Sequence, residues 1–348
     1  MLYAHIKVFM LKSFTSKKRY KKGVALLVSL WIMLVVSLIV GAFTFEVTLE
    51  GLVSSKKRDR FRAELLARSG IEYARALIAQ SPNASELEIE ALPIDQAELM
   101  GSALFIKKGL PTIQQISVTN MGTLSVEITS AENGRNVNLL TVEQWHELFQ
   151  MANVPPDEWS GLTDCLADWI DEGDAHRING AESDDPFYAD KAYPVKNRRL
   201  DTVEELLLIK NWYPEILYGQ PALHEEDSIF GIAELLTVWG DGKIPINSAS
   251  TNTLLSFAEY EDWELESVMQ TRKGLDGEEG TLDDGIKSLD QINADSSKFK
   301  LQSDFLRVTS RGVCSETVYK IEAILRVEGT KTYVVYWNEK PEMALSKK

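Results

Sequence analysis

The chain has 348 residues, room for one or two sizeable cores, and its 44% hydrophobic content excludes a disordered or fibrous protein. Its net charge of −15 repels nucleic acid and anionic lipid headgroups and is compatible with divalent cations. Two cysteines, Cys165 and Cys314, are too few for a disulfide scaffold, and their positions leave open whether they pair.

The first 22 residues carry seven Lys/Arg and no acid. Gly23 follows, and then an uncharged run of 22 residues, 24–45, long enough to span a bilayer as a helix. Positive charge before the run puts that end in the cytoplasm and exports the rest. An ordinary signal peptide would place a small-x-small cleavage site after the apolar stretch, and none is present. An uncleaved signal anchor is the rival reading. The layout resembles a type IV prepilin leader, which implies cleavage between Gly23 and Val24 with the apolar helix retained. A chain beginning at Val24 has a net charge of −22, since the leader removes seven basic residues from the −15 total.

The helix is expected to continue past the membrane to residue 78, roughly 80 Å at about 1.5 Å per residue. Phe61, Leu65, Leu66, Ile71, Tyr73, Ala74, Leu77 and Ile78 make an apolar stripe at helical spacing, and Ser81-Pro82-Asn83 ends it. Strands are expected at 104–107, 113–120 and 124–130, and again at 305–314, 318–327 and 332–337, with a hairpin turn at 328–331. Between them the sequence reads as short helices and polar loops. The expected class is α+β. A leader (1–23) and membrane half of the helix (24–45) precede a small helix-plus-sheet domain (46–135 and 304–348), which a mainly α-helical insertion (136–303) interrupts.

The insertion carries the chemistry. Leu162, Leu166, Trp169 and Ile170 form one apolar helical face, with Asp164, Asp168 and Asp171 on the other side, and acids continue through Glu172, Asp174, Glu182, Asp184 and Asp185. Carboxylates at a helix C-terminus oppose the macrodipole, so something positive is needed there, and only Arg177 and Lys191 are near in sequence. Hard oxygens in a loop with Gly173 and Gly180 suit Ca²⁺ in irregular coordination. The alternative is a solvated acidic loop. The fixed alternation of an EF-hand is missing. A second acidic loop, 275–285, is richer in Gly; it offers a second candidate cation site, but a mobile connector is the preferred reading.

Two segments, 201–209 and 244–255, have helix-hairpin-helix character. Their surroundings are acidic, which favours protein packing over DNA phosphate binding. Four histidines (His5, His146, His176 and His224) form no zinc spacing, and no nucleophile elbow or phosphate loop occurs.

These residues resemble one family, the K-type minor pseudopilins of type II secretion. Gly23-Val24-Ala25-Leu26-Leu27-Val28-Ser29-Leu30-Trp31 is similar to its processing site and helix start. Asp168-Trp169-Ile170-Asp171-Glu172-Gly173-Asp174, Asn179-Gly180-Ala181-Glu182, Tyr193, Asn197 and Glu204-Glu205-Leu206 follow its insertion signature in order, and Ile246-Asn247-Ser248-Ala249 resembles its Asn-containing helix start. The resemblance implies a pseudopilin fold and a noncatalytic subunit at the tip of the pseudopilus that helps start its assembly and the export of folded proteins. It implies partners of the I and J types, other pseudopilins, inner-membrane secretion components and the prepilin peptidase, with no nucleic acid. The place implied is the bacterial inner membrane, single-pass, with the C-terminal domain in the periplasm. It also implies calcium held by Asp171, Asp174, Glu182 and one of Asp184 and Asp185. Gly173 stands where the family often has an acid, and Ser183 is an extra residue. Most pilins have Glu at the fifth mature position, where it pairs with a neighbour's N-terminal amine; Val28 cannot, which suits a subunit with no neighbour beyond it. The competing functions are a membrane-anchored, calcium-dependent periplasmic enzyme, which needs a carboxylate cleft, and a DNA-uptake pseudopilin, which needs a basic face.

Overall fold

A computed structural model describes residues 22–89, 92–221, 228–258 and 262–343. The leader, apart from its last two residues, lies outside them. The chain divides into two units at Arg58/Asp59. The first contains most of helix α1 (Lys22–Gln80). No Pro interrupts it, and the hydroxyls of Ser29, Thr44 and Thr48 each donate to a carbonyl three or four residues back, which satisfies them within the helix. This helix is long and apolar enough to cross a membrane, and the large apolar side chains of its part within the first unit are exposed.

In the second unit the end of α1 lies on a sheet. Helices α2 (Glu86–Ile89) and α3 (Ile94–Lys108) come first. Strands β1 (Thr112–Val118) and β2 (Gly122–Ser130) form a hairpin, and β7 (Phe305–Cys314), β8 (Thr317–Glu328) and β9 (Lys331–Met343) form a meander. The sheet is antiparallel throughout, in the order β1-β2-β7-β8-β9. The fold is therefore α+β. Strand alternation sends Leu124, Val126, Ile128, Val308, Ile321, Ala323 and Leu325 inward against Ala63, Leu66, Ala67, Ile71, Ala74, Leu77 and Ile78 of α1. Two glycines allow the close approach. A Cβ on Gly312 would lie 2.0 Å from the Ala63 carbonyl oxygen, and one on Gly70 would lie 2.1 Å from Ser310 Oγ. Glu339 ties β9 to the helix, accepting from Arg68 at 2.8 Å and from the Tyr319 hydroxyl at 2.7 Å. Three donors hold its carboxyl below the usual range, the Tyr319 hydroxyl most of all.

One expected strand is a correction. Residues 104–107 belong to α3, not to the sheet. Ala97, Met100, Ala103 and Leu104 recur at helical spacing and pack on Ala84 and Ile89. The helix ends at Gly109, whose φ of 77° and backbone-only side supply the left-handed cap.

Between β2 and β7 the chain builds two further cores. The first gathers α4 (Val142–Met151), α5 (Trp159–Ile170), α6 (Pro186–Ala189) and α7 (Pro214–Tyr218), with β3 (Arg135–Asn136) paired parallel to β4 (Leu236–Thr237). Trp145, Phe149 and Trp212 pack ring against ring at its centre. The second gathers β5 (Ile244–Pro245), α8 (Thr251–Ala258), α9 (Asp262–Arg272) and β6 (Phe299–Lys300). Segment 201–209 is a single 3₁₀ turn, Val203–Leu208, and Asp201 caps nothing because Lys196 holds it at 2.9 Å. In segment 244–255, Asn247 is buried and spends its amide on the Lys108 and Ile286 carbonyls, at 2.7 and 3.0 Å.

Where the insertion leaves the sheet, buried Glu132 accepts from Lys300 Nζ at 3.0 Å and from the Asp304 N–H at 3.0 Å. Burial raises its pKa and Lys300 opposes the rise. This pair joins the two stems of the insertion. Cys165 and Cys314 are free, each buried in a different core.

Candidate metal centre

Helix α5 positions the acidic cluster. Its apolar face, including Leu162, Leu166 and Trp169, is buried in the first insertion core. It stops at Asp171, whose extended backbone turns the chain out while its N–H still reaches the Ala167 carbonyl. The following loop folds back along the helix. The Asn179 N–H and Nδ2 both donate to Asp164 Oδ2 at 3.1 Å. The Arg177 N–H donates to Asp168 Oδ2 at 3.1 Å. Gly180 passes so near that a Cβ would lie 1.8 Å from that oxygen, which fixes glycine at this position.

Asp168 was expected on the polar side of α5 with Asp164 and Asp171. It is instead fully buried, because the loop covers it. Its charge is matched by Arg177 Nη1, 2.6 Å away, and the same nitrogen lies 2.6 Å from Asp171 Oδ2. Asp171 Oδ1 accepts the Gly173 N–H at 3.0 Å.

Glu182 has no such partner. It is 3% exposed, and among the described residues nothing donates to its Oε1. Burial raises its pKa, and the carboxylates of Asp168, Asp171, Asp174 and Asp184 raise it further. A buried carboxylate amid four others, with one oxygen unpaired, is the arrangement that a cation would relieve. Asp174 and Asp184 are exposed beside it. Asp185 faces elsewhere: Oδ1 caps α6 through the Phe187 N–H at 2.8 Å, and Oδ2 pairs with Lys210 at 2.8 Å, which holds its pKa low. A second orphan oxygen is Asn197 Oδ1, buried and unpartnered, on a residue whose Nδ2 reaches the Gly173 carbonyl at 3.5 Å. Sequence reasoning named Asn197 only as part of a signature; its positive φ of 51° is the local feature that turns its side chain. The donor set is hard oxygen throughout and fits calcium.

The second acidic loop brings carboxylate oxygens of Asp276, Asp283 and Asp284 within 4.8 Å of one another. These are used by the loop itself. Asp284 Oδ2 accepts the Gly280 N–H at 2.7 Å and Asp283 Oδ2 accepts the Leu275 N–H at 2.6 Å.

Residues 119–218, which contain this acidic loop, match the family model described as "Type II secretion system (T2SS), protein K". A relative from Pseudomonas aeruginosa, the type II secretion system protein K, is 26% identical over 185 residues. Over these stretches the chain is similar to the type II secretion protein K family. The alignment to the Pseudomonas protein K covers 50% of this chain and 51% of that relative, so the chain spans about half the relative's length. A chain in the crystal structure of the GspK-GspI-GspJ complex from enterotoxigenic Escherichia coli shares the fold, with a TM-score of 0.50 and 13% identity, over 81% of this chain and 99% of that one.

Proposed function

We propose that this protein K homologue is a minor pseudopilin seated at the tip of the type II secretion pseudopilus, where it starts assembly with I- and J-type minor pseudopilins. The observation that carries the reading is a pilin-like frame, α1 on an antiparallel sheet, bearing between β2 and β7 an insertion whose acidic loop lies inside the family-matched segment. The Escherichia coli neighbour, solved as a complex of GspK, GspI and GspJ, supports the choice of partners.

The residues then take definite roles. The basic leader stays in the cytoplasm and is cut between Gly23 and Val24. The apolar part of α1 holds the subunit in the inner membrane until assembly, with the sheet and insertion in the periplasm. Val28 leaves no buried carboxylate for a subunit above, and the insertion's bulk closes the filament end. The role is noncatalytic. Calcium supplies positive charge where the acidic loop lacks it. Asp171, Asp174, Glu182 and Asp184 hold it, with Asn197 Oδ1 in reach of the same loop, while Asp185 stays with Lys210.

The test is co-expression of the full chain with I- and J-type minor pseudopilins and prepilin peptidase, followed by purification in detergent. A stable complex in which this subunit's mass begins at Val24 is expected. A chain that keeps Met1 and purifies away from both partners would overturn the proposal.

A further inference from the structure

The Arg177 side chain folds into the acidic loop and bridges two of its carboxylates. Arg177 Nη1 lies 2.6 Å from Asp168 Oδ1 and 2.6 Å from Asp171 Oδ2. The Arg177 backbone N–H already serves Asp168, at 3.1 Å, so the loop remains pinned to α5 without the side chain. Asp171 differs from Asp168. It is only partly buried, and its Oδ2 takes the guanidinium while the neighbouring acid, Glu182, has an unpaired oxygen. The Arg177 side chain is 42% exposed and has room to swing outward.

We propose that Arg177 is a tethered counter-ion: its guanidinium bridges Asp168 and Asp171 in the ion-free protein and gives up Asp171 Oδ2 when calcium binds, which sets the affinity of the site. The inference rests on the calcium reading above. A guanidinium and a divalent ion at one carboxylate oxygen repel each other at contact distance, so one must leave. The free energy of breaking the bridge is subtracted from that of binding the ion. In return, the bridge holds the acidic loop closed while no ion is present.

The test uses the full chain in detergent, titrated with calcium chloride by calorimetry and melted in calcium and in chelator. Arg177→Gln should bind calcium about threefold to fivefold tighter than wild type, the scale of one partly exposed ion pair. It should melt lower than wild type in chelator and equal to it in saturating calcium, because affinity and ion-free stability belong to one thermodynamic cycle. Arg177→Lys keeps the charge without the fork and should fall between the two, which preserves the test if the Gln variant unfolds in chelator. Arg198→Gln, the same charge change at a residue that bridges neither Asp168 nor Asp171, should leave the affinity unchanged.

Weaker binding by Arg177→Gln would make Arg177 a ligand-positioning residue and overturn the proposal. So would an equal melting loss in calcium and chelator, or an equal gain from Arg198→Gln. In all three cases wild type still binds calcium and the calcium reading stands. A wild type that takes up no calcium overturns both.

Discussion

At Glu182, folding leaves a buried carboxylate oxygen with nothing to accept and four other carboxylates close by. A calcium site filled at 100 times its dissociation constant adds about 2.7 kcal/mol of native stability. Chelator should therefore lower the melting temperature of the wild type, and Asp174→Ala with Glu182→Ala should abolish most of that response. Differential scanning calorimetry with and without calcium decides it; identical responses from wild type and double variant would mean that the acidic loop is only a solvated surface. The acids themselves were legible in the sequence, because the resemblance brought Asp171, Asp174 and Glu182 forward by position. What was not legible was which of them the fold spends elsewhere. Helical periodicity put Asp168 on the polar side of α5, but the loop that buries it is set by Gly180 and the Arg177 backbone, and no spacing within α5 reports on a loop folding back. Asp185 reads as one more acid until its cap on α6 and its pair with Lys210 are seen.

Among the elements, α1 and the sheet are held at a distance set by backbone rather than side chains. A single methyl on Gly312 would meet the Ala63 carbonyl at 2.0 Å and the Ala67 nitrogen at 2.7 Å, neither of which can rotate away. Gly312→Ala should cost about 3 kcal/mol as α1 is pushed off β7. Urea unfolding of the variant should show a lower midpoint with an unchanged slope, and a loss below about 0.5 kcal/mol would show that the helix floats freely on the sheet. The strands of this sheet were readable because each has one buried face, and alternation is a local signal. β7 was placed at 305–314, matching the structure residue for residue. Residues 104–107 misled because four consecutive residues of α3 look like a strand when the window is that short; Met100 and Ala97, one and two turns before Leu104, carry the helical period. The 3₁₀ turn at Val203–Leu208 misled for a related reason, since two Glu near the start of an apolar run imitate a helix N-terminus.

Across the whole molecule, the cluster that joins α1 to the sheet draws on no residue between β2 and β7 among those described. The insertion enters and leaves by neighbouring rungs: Ser130 pairs with Leu306, and the Ala131 N–H reaches the Phe305 carbonyl at 2.8 Å. Replacing residues 132–304 with a two-residue Asn-Gly turn should therefore leave a cooperatively folding helix-and-sheet protein. It should be weakened where α3 loses its cover, since the Lys108 carbonyl is held by Asn247 at 2.7 Å. Far-UV circular dichroism through a urea gradient checks this, and a broad, non-cooperative loss of signal would show that the frame depends on its guest. The same adjacency governs the order of events during folding. Ser130 and Ser303 touch at 3.0 Å although 173 residues separate them. Closing a loop of that length in an unfolded chain costs about 4–5 kcal/mol from its length alone. The hairpin β1–β2 and the meander β7–β8–β9 are local and form early; the β2–β7 rung is not. Until the insertion's own cores condense and draw the stems together, the chain carries two bare sheet edges, and the slowest pairing in the frame is timed by a region none of whose described residues joins the frame's core.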